Sequence, residues 1–310
     1  MITTVSLNPS IDRTIEVAQF TVGGLNRVAK QTDVAAGKGT NVAIVTAALG
    51  MESECIGFMY HEGGKLFEKR LSDSGAACDF VWCEGAVRVN VKVFDRSKGE
   101  ITEINQSGSG VNDLQLSEMT ELVKKHAMQA DYLILTGSLP PGCPADYYRI
   151  LAETAAQANC RVILDADGDR LVHGLKAKPF LIKPNRYELE MLTGKQLPEI
   201  EDILKAAEEI IAGGVGIVAV SMGGEGALIC DGSQAYLAHG VKIDVKSTVA
   251  AGDSMIAGLA SGFEKGYDLP EAFRMGVAAA TVRCMTPPEE MIGPGAVKEM
   301  MERIHMEKIK

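Results

Sequence analysis

The sequence predicts a three-layer α/β body built on a mostly parallel sheet, with a small antiparallel β-lid inserted into it. Three observations carry this expectation. From about residue 115 onward, short β-branched runs alternate with amphipathic stretches, the pattern of strands covered by helices on both faces. Two segments, Thr14 to Val17 and Val87 to Phe94, instead alternate with period two, as half-exposed strands do. No internal repeat, low-complexity tract or interdomain linker interrupts the 310 residues. Residues 1–310 therefore read as one domain, with the lid inserted from about 12–34 and 85–108.

Taken in order, MITTVSL (1–7) is a strand of the main sheet, and Thr14 to Val17 opens the lid. The glycine-rich AAGKGTN (35–41) leads into a helix from Thr40 to Leu49 that Gly50 stops, and SECIGF (53–58) is the next strand. In Val87 to Phe94 every valine falls on one face, while Arg88, Asn90 and Lys92 line the other. Arg96-Ser97-Lys98-Gly99 then turns this strand into EITEIN (100–105). A helix from Leu116 to Ala127 precedes the strand YLILTG (132–137), and a helix opening near Pro144 precedes RVILDA (161–166). FLIKP (180–184), helices from about 186 and over 201–212, and VGIVAVSM (215–222) continue the alternation. Finally STVAAGDSM (247–255) runs into a helix with Met255, Ile256, Leu259 and Phe263 at helical spacing.

Composition narrows the function. The chain is 46% hydrophobic and 23% charged, an ordinary globular balance. Its 31 basic and 41 acidic residues leave a net charge of −10, which argues against a nucleic-acid or anionic-membrane partner. The seven cysteines form no Cys-x-x-Cys pair and the five histidines show no metal-ligand spacing, as in a reduced cytoplasmic chain. No export signal is expected from MITTVSL, and no apolar run approaches membrane-spanning length.

Each candidate motif has a structural and a chemical reading. Asp253 at a helix start is either an N-cap or a base beside an anion held by free N–H groups. AAGKGTN lacks the P-loop pattern, because Thr32 stands where that motif has glycine and Gly39 follows the lysine. It is either a plain loop or a flexible turn whose Lys38 meets a phosphate or sugar oxygen. Arg88, Asn90 and Lys92 form either a solvated strand face or a set suited to a phosphorylated, hydroxyl-rich ligand. In KPNRYE (183–188), Asn185 and Glu188 are spaced as a capping box, or they reach Mg²⁺ while Lys183 points at nucleotide phosphates. Ser138 ends a strand in a tight turn, where ligands of parallel sheets sit.

Together these residues resemble the phosphofructokinase B family of ribokinase-like sugar kinases. LNPSID (7–12), AAGKGTNVA (35–43), TGSLPPG (136–142), KPNRYELE (183–190), SMGGEGA (221–227) and STVAAGDSM match the family's motifs in order, from about residue 5 to 285. Lys38, the RVNVK strand and KPNRYELE most resemble the family's bacterial 1-phosphofructokinases, with tagatose-6-phosphate kinases as close neighbours. The resemblance implies a ribokinase-like fold, ATP and Mg²⁺ as cofactors, and a phosphosugar substrate; the alternation of the lid strands leaves a valine face needing cover, so a homodimer through the lid is expected. Asp253 would be the base, with Ala250, Ala251 and Gly252 forming the anion hole. Asp12, Gly37 and Asn41 would hold sugar hydroxyls. Lys38, Arg88 and Ser138, with Arg27, Asn90 and Lys92 nearby, would meet the substrate and its phosphate. Lys183, Asn185, Ser221, Gly223 and Gly226 would border the nucleotide, and Glu188 and Asn185 would support Mg²⁺ through water.

The chain departs from the family at Ser247, where the motif leads with Asp, and at Ala250, where it has Gly. Glycine serves either positive φ or close approach. The expectation here is that the turn needs only a small residue at 250. Beside the kinase reading stands a non-catalytic sugar-phosphate sensor, motivated by the same alanine.

Overall fold

The computed structural model describes residues 1–287 and 290–310. The chain begins with β1 (Ile2–Ser6), β2 (Ser10–Val17), β3 (Val28–Ala36), α1 (Lys38–Ala48), β4 (Ser53–Glu62), α2 (Gly64–Ser74) and β5 (Ala77–Ala86). Then follow β6 (Arg88–Asp95), β7 (Glu100–Ile104), α3 (Asp113–Ala127), β8 (Tyr132–Thr136), α4 (Tyr147–Ala156), β9 (Arg161–Asp165) and α5 (Gly168–Gly174). The rest comprises β10 (Leu181–Ile182), α6 (Arg186–Thr193), α7 (Ile200–Ala212), β11 (Ile217–Ser221), β12 (Gly226–Cys230), β13 (Ala235–His239), α8 (Ala251–Glu264), α9 (Leu269–Met285), α10 (Pro294–Arg303) and β14 (Met306–Lys308).

Ten strands form the main sheet in the order β14-β13-β12-β11-β10-β9-β8-β1-β4-β5. From β5 to β11 every pairing is parallel. The inner strands β1, β8, β9, β10 and β11 of this set are buried on both faces and read as apolar runs without alternation, whereas the edge strand β5 is largely exposed. One face is covered by α3, α4, α6 and α7 through Met119, Tyr148, Leu189 and Ile203. The other is covered by α1, α8, α9 and α10 through Val42, Leu259, Phe273 and Val297. The three-layer expectation is met. The antiparallel edge β12–β14 was not anticipated; its first turn is made by Asp231, whose Oδ1 accepts the N–H groups of Ser233 and Gln234 at 2.9 Å each.

The lid is a separate sheet in the order β3-β2-β6-β7. Its outer pairings are antiparallel, as expected, but the central β2/β6 pair is parallel. The reason is topological. Strands β1 and β5 run in one direction in the main sheet, and β2 and β6 continue directly from them past the same edge. That edge is also where β8, β9, β10 and β11 end, so the polar turns after these strands collect under the lid.

Candidate active site

Helix α8 begins in this collection of turns. Its N-cap, Ala250, has φ 62° and ψ 14°, the left-handed conformation. The expectation that small size alone is needed at 250 is therefore wrong: the turn demands positive φ, and alanine bears about 1–2 kcal/mol of strain there. The turn is nevertheless closed, with the Ser254 N–H donating to the Ala250 carbonyl at 2.9 Å and the Ala251 N–H to the Thr248 carbonyl at 3.3 Å. The Ala251 N–H is thus occupied. The next two, on Gly252 and Asp253, find no acceptor among the described residues, which leaves them available to an anion. Gly252 admits a close neighbour: a side-chain carbon there would stand 3.3 Å from Lys183 Nζ.

Asp253 is buried, and its Oδ2 accepts a hydrogen bond from Asn41 Nδ2 at 2.9 Å. A second buried carboxylate, Asp165 at the end of β9, lies between two lysines. Lys38 Nζ is 3.3 Å from its Oδ2 and Lys183 Nζ 3.4 Å from its Oδ1, while Thr136 Oγ1 donates to Oδ2 at 3.0 Å. The two acids diverge in proton affinity. Burial would raise Asp165, but Lys183 and then Lys38 outweigh it and hold that carboxyl below its usual range. Burial also raises Asp253, and there it wins over the Asn41 hydrogen bond and the lysines, with Asp165 adding to the rise, so Asp253 titrates at about 6. Although a helix N-terminus favours an ionised carboxylate, desolvation dominates at Asp253. A carboxyl near 6 is still mostly ionised at neutral pH and is better matched to taking a proton there. Burial depresses the Lys38 ammonium, yet Asp165, Asp253 and Glu188 together hold it above its ordinary value.

Lys38, Arg88 and Ser138 converge on one cavity of about 180 Å³, with Asn8 and Arg170 also in its wall. Arg88 spans the gap between loops, donating to the Asn8 carbonyl at 3.3 and 3.1 Å, to the Gln106 carbonyl at 3.0 Å and to Ser138 Oγ at 3.4 Å. On the lid, Asp12 is held by Asn90 Nδ2 at 3.2 Å, Lys92 Nζ at 2.9 Å and Ser10 Oγ at 3.1 Å, which follows from the Asp12/Asn90 register of β2 and β6. Lys92 thus serves Asp12 rather than the Lys38 cavity. Gly37, with φ 108°, is the N-cap of α1 and accepts the Asn41 N–H at 3.0 Å, which sets the direction of the Asn41 side chain. Arg27 is not brought to this site: it lies on the exposed turn between β2 and β3 and lines none of these cavities.

Ser221, Gly223 and Gly226 line a larger cavity of about 590 Å³ that ends on Thr248, Ala251 and Gly252 of the α8 turn. Asn185 and Glu188 form the capping box of α6: Asn185 Oδ1 accepts the Glu188 N–H and Glu188 Oε2 accepts the Asn185 N–H, both at 2.8 Å. Among the described residues, no three His, Cys, Asp or Glu side chains converge to hold a metal. Mg²⁺ keeps most of its waters and takes one or two carboxylates plus phosphates, and among the described residues the second oxygen of Glu188 accepts no hydrogen bond.

A model of the pfkB family carbohydrate kinases matches residues 5–287. The chain belongs to that family. It is 33% identical over 309 residues to the 1-phosphofructokinase of Bacillus subtilis (strain 168), covering 100% of both chains. It is 38% identical over 300 residues to the 1-phosphofructokinase of Rhodobacter capsulatus, covering 94% of each. The structure of phosphofructokinase-2 from Escherichia coli in complex with fructose-6-phosphate superposes with a TM-score of 0.89 at 27% identity, over 97% of this chain and 98% of that one. As a pfkB carbohydrate kinase the chain is a phosphotransferase with an alcohol acceptor, and its body is the ribokinase-like fold.

Sequence reasoning missed several polar residues of this kinase site. Asp165 closes the apolar run RVILDA and reads as an ordinary strand end; the signal was an acid at the carboxyl end of a buried parallel strand. Asn8 lay inside the quoted motif LNPSID without being singled out, although its Nδ2 donates to Ser138 Oγ at 3.1 Å. Arg170 on α5 had no motif around it.

Proposed function

We propose that this kinase transfers the γ-phosphoryl group of ATP to the 6-hydroxyl of fructose 1-phosphate, giving fructose 1,6-bisphosphate and ADP. The observation that carries this reading is the pairing of a buried base, Asp253, with a separate cationic cavity walled by Lys38, Arg88 and Ser138. A carbohydrate that already bears a phosphate fits such a division, and the two relatives named 1-phosphofructokinase support that sugar. Nothing in the site favours tagatose 6-phosphate over it.

In this mechanism the phosphate of the substrate rests against Lys38, Arg88 and Ser138, and its hydroxyls against Asp12 and Asn41. That fixes the 6-hydroxyl beside Asp253. The hydroxyl oxygen attacks the γ-phosphorus in line, the bond to the ADP oxygen breaks, and the hydroxyl proton passes to Asp253. Phosphoryl transfer needs alignment and charge neutralisation more than covalent help. The N–H groups of Gly252 and Asp253, and Lys183 beside Gly252, supply it at the transferred group. The base of ATP occupies the cavity bordered by Ser221, Gly223 and Gly226, and Asn185 fixes the turn carrying Lys183 through its capping role. Mg²⁺ bound with ATP would supply further charge neutralisation, and Glu188 would help hold it.

The lid belongs to the same reading. All five residues of β7 are exposed; Ile104, in register with Val91, lies on the valine face of the lid, and Val22, Leu25 and Val28 are exposed apolar residues of the same sheet and its turn, with Val22 89% exposed. A four-stranded sheet with such a face is covered by pairing with a second lid, forming a homodimer. Among the described residues no helix is long and apolar enough to cross a membrane. The test is steady-state ADP release with fructose 1-phosphate, fructose 6-phosphate and unphosphorylated fructose as acceptors. The highest kcat/KM falls on fructose 1-phosphate; equal or better use of unphosphorylated fructose would overturn the reading.

A further inference from the structure

Arg170 stands in the first turn of α5, immediately after β9, and its side chain lines both the 180 Å³ cavity and an adjoining open cavity of about 630 Å³. Its terminal nitrogen is paired with Asp167 Oδ1, one helical turn earlier, and Asp167 is half exposed. Its Nε is buried and donates to nothing among the described residues. The other two cations of the smaller cavity are already committed. Arg88 spends its fork on the Asn8 and Gln106 carbonyls and on Ser138, and Lys38 is tied to Asp165. The smaller cavity therefore carries three cationic side chains with Asp167 in its wall and Asp165 behind Lys38, which leaves an excess of positive charge. That excess matches a phosphate monoester dianion, and a planar guanidinium with an unused N–H is the group best shaped to grip one.

We infer that Arg170 is a specificity-determining residue for the substrate's existing phosphate: it leaves Asp167 and clasps that phosphate when the sugar binds. The inference rests on the phosphosugar reading above. It also gives Asp167 a part, as the exchangeable partner that keeps Arg170 at the cavity wall and competes with the phosphate.

Steady-state kinetics on the intact enzyme with fructose 1-phosphate test it. Arg170→Ala raises KM for fructose 1-phosphate about 10- to 100-fold, as loss of charge-assisted bonds predicts. The KM for ATP and kcat stay within about twofold, since uniform binding alone is lost. Arg170→Lys restores only part of the affinity, because it keeps the charge and loses the fork. Asp167→Asn, which keeps the shape and removes the competing charge, lowers KM for fructose 1-phosphate several-fold. If Arg170→Ala leaves that KM within twofold while Arg88→Ala raises it, the phosphosugar reading stands and the role of Arg170 is refuted. If the unaltered enzyme uses unphosphorylated fructose as well as fructose 1-phosphate, the underlying reading fails and takes this one with it.

Discussion

Replacing Asp253 with Asn separates what the residue does for chemistry from what it costs the fold. An unfolded Asp titrates at 3.8 and the native one at about 6, chiefly because burial disfavours its charge. Between those pH values the native state holds a proton that the unfolded chain has released. Stability therefore drains away as pH rises through that window and stays lost above about 6. At 1.36 kcal/mol per unit, a shift of this size amounts to about 3 kcal/mol at pH 7.5. Asn has no charge to bury and can still accept the bond from Asn41 Nδ2. Urea unfolding of both proteins at pH 4 and pH 7.5 measures the difference directly. The variant gains about 2–4 kcal/mol over the wild type at pH 7.5 and little at pH 4, while its turnover falls about 10²–10⁴-fold for want of a proton acceptor. A variant that turns over within tenfold of wild type, or gains nothing at pH 7.5, refutes the assignment of Asp253 as a desolvated base.

Other perturbations address the turn and the lid. Ala250→Gly releases the strain of φ 62° but loosens the unfolded chain, for a net stabilisation of about 0.5–1 kcal/mol by urea unfolding. Its turnover changes less than tenfold, well short of the 10²–10³-fold tied to an anion-hole donor. A hundredfold gain would mark the natural protein as a crippled enzyme and revive the sensor reading. Placing Lys at both Val91 and Ile104, which are register partners on the valine face of the lid, puts charge on that face and yields a monomer by light scattering at micromolar concentration. A dimer that survives the double change assigns the interface elsewhere.

What the sequence disclosed and what it withheld follow from the range of the interactions. Turn chemistry is local, so the glycines of AAGKGTN, the capping box of Asn185 and Glu188, and Asp253 at a helix start were all legible. The partners of those residues are distant. Asp165 acquires its meaning from Lys38, 127 residues away, and Asp253 is bound by Asn41 across 212. No spacing rule reaches that far. The conformation at Ala250 was misjudged because alanine is rare at positive φ; only the backbone traced through Thr248 and Ser254 reveals that the turn requires it. The parallel β2/β6 pairing was hidden for a different reason. Period-two alternation reports a half-exposed strand, whereas direction is set by the main-sheet strands that feed it.

Phosphorus NMR of one mixture tests the account most directly: the purified protein with Mg²⁺, ATP, and equal amounts of fructose 1-phosphate, fructose 6-phosphate, tagatose 6-phosphate and unphosphorylated fructose. The cationic cavity and the single buried base predict that the fructose 1-phosphate resonance disappears first, with fructose 1,6-bisphosphate and ADP rising together. Faster loss of another acceptor, or ATP consumed with no sugar phosphorylated, would contradict it.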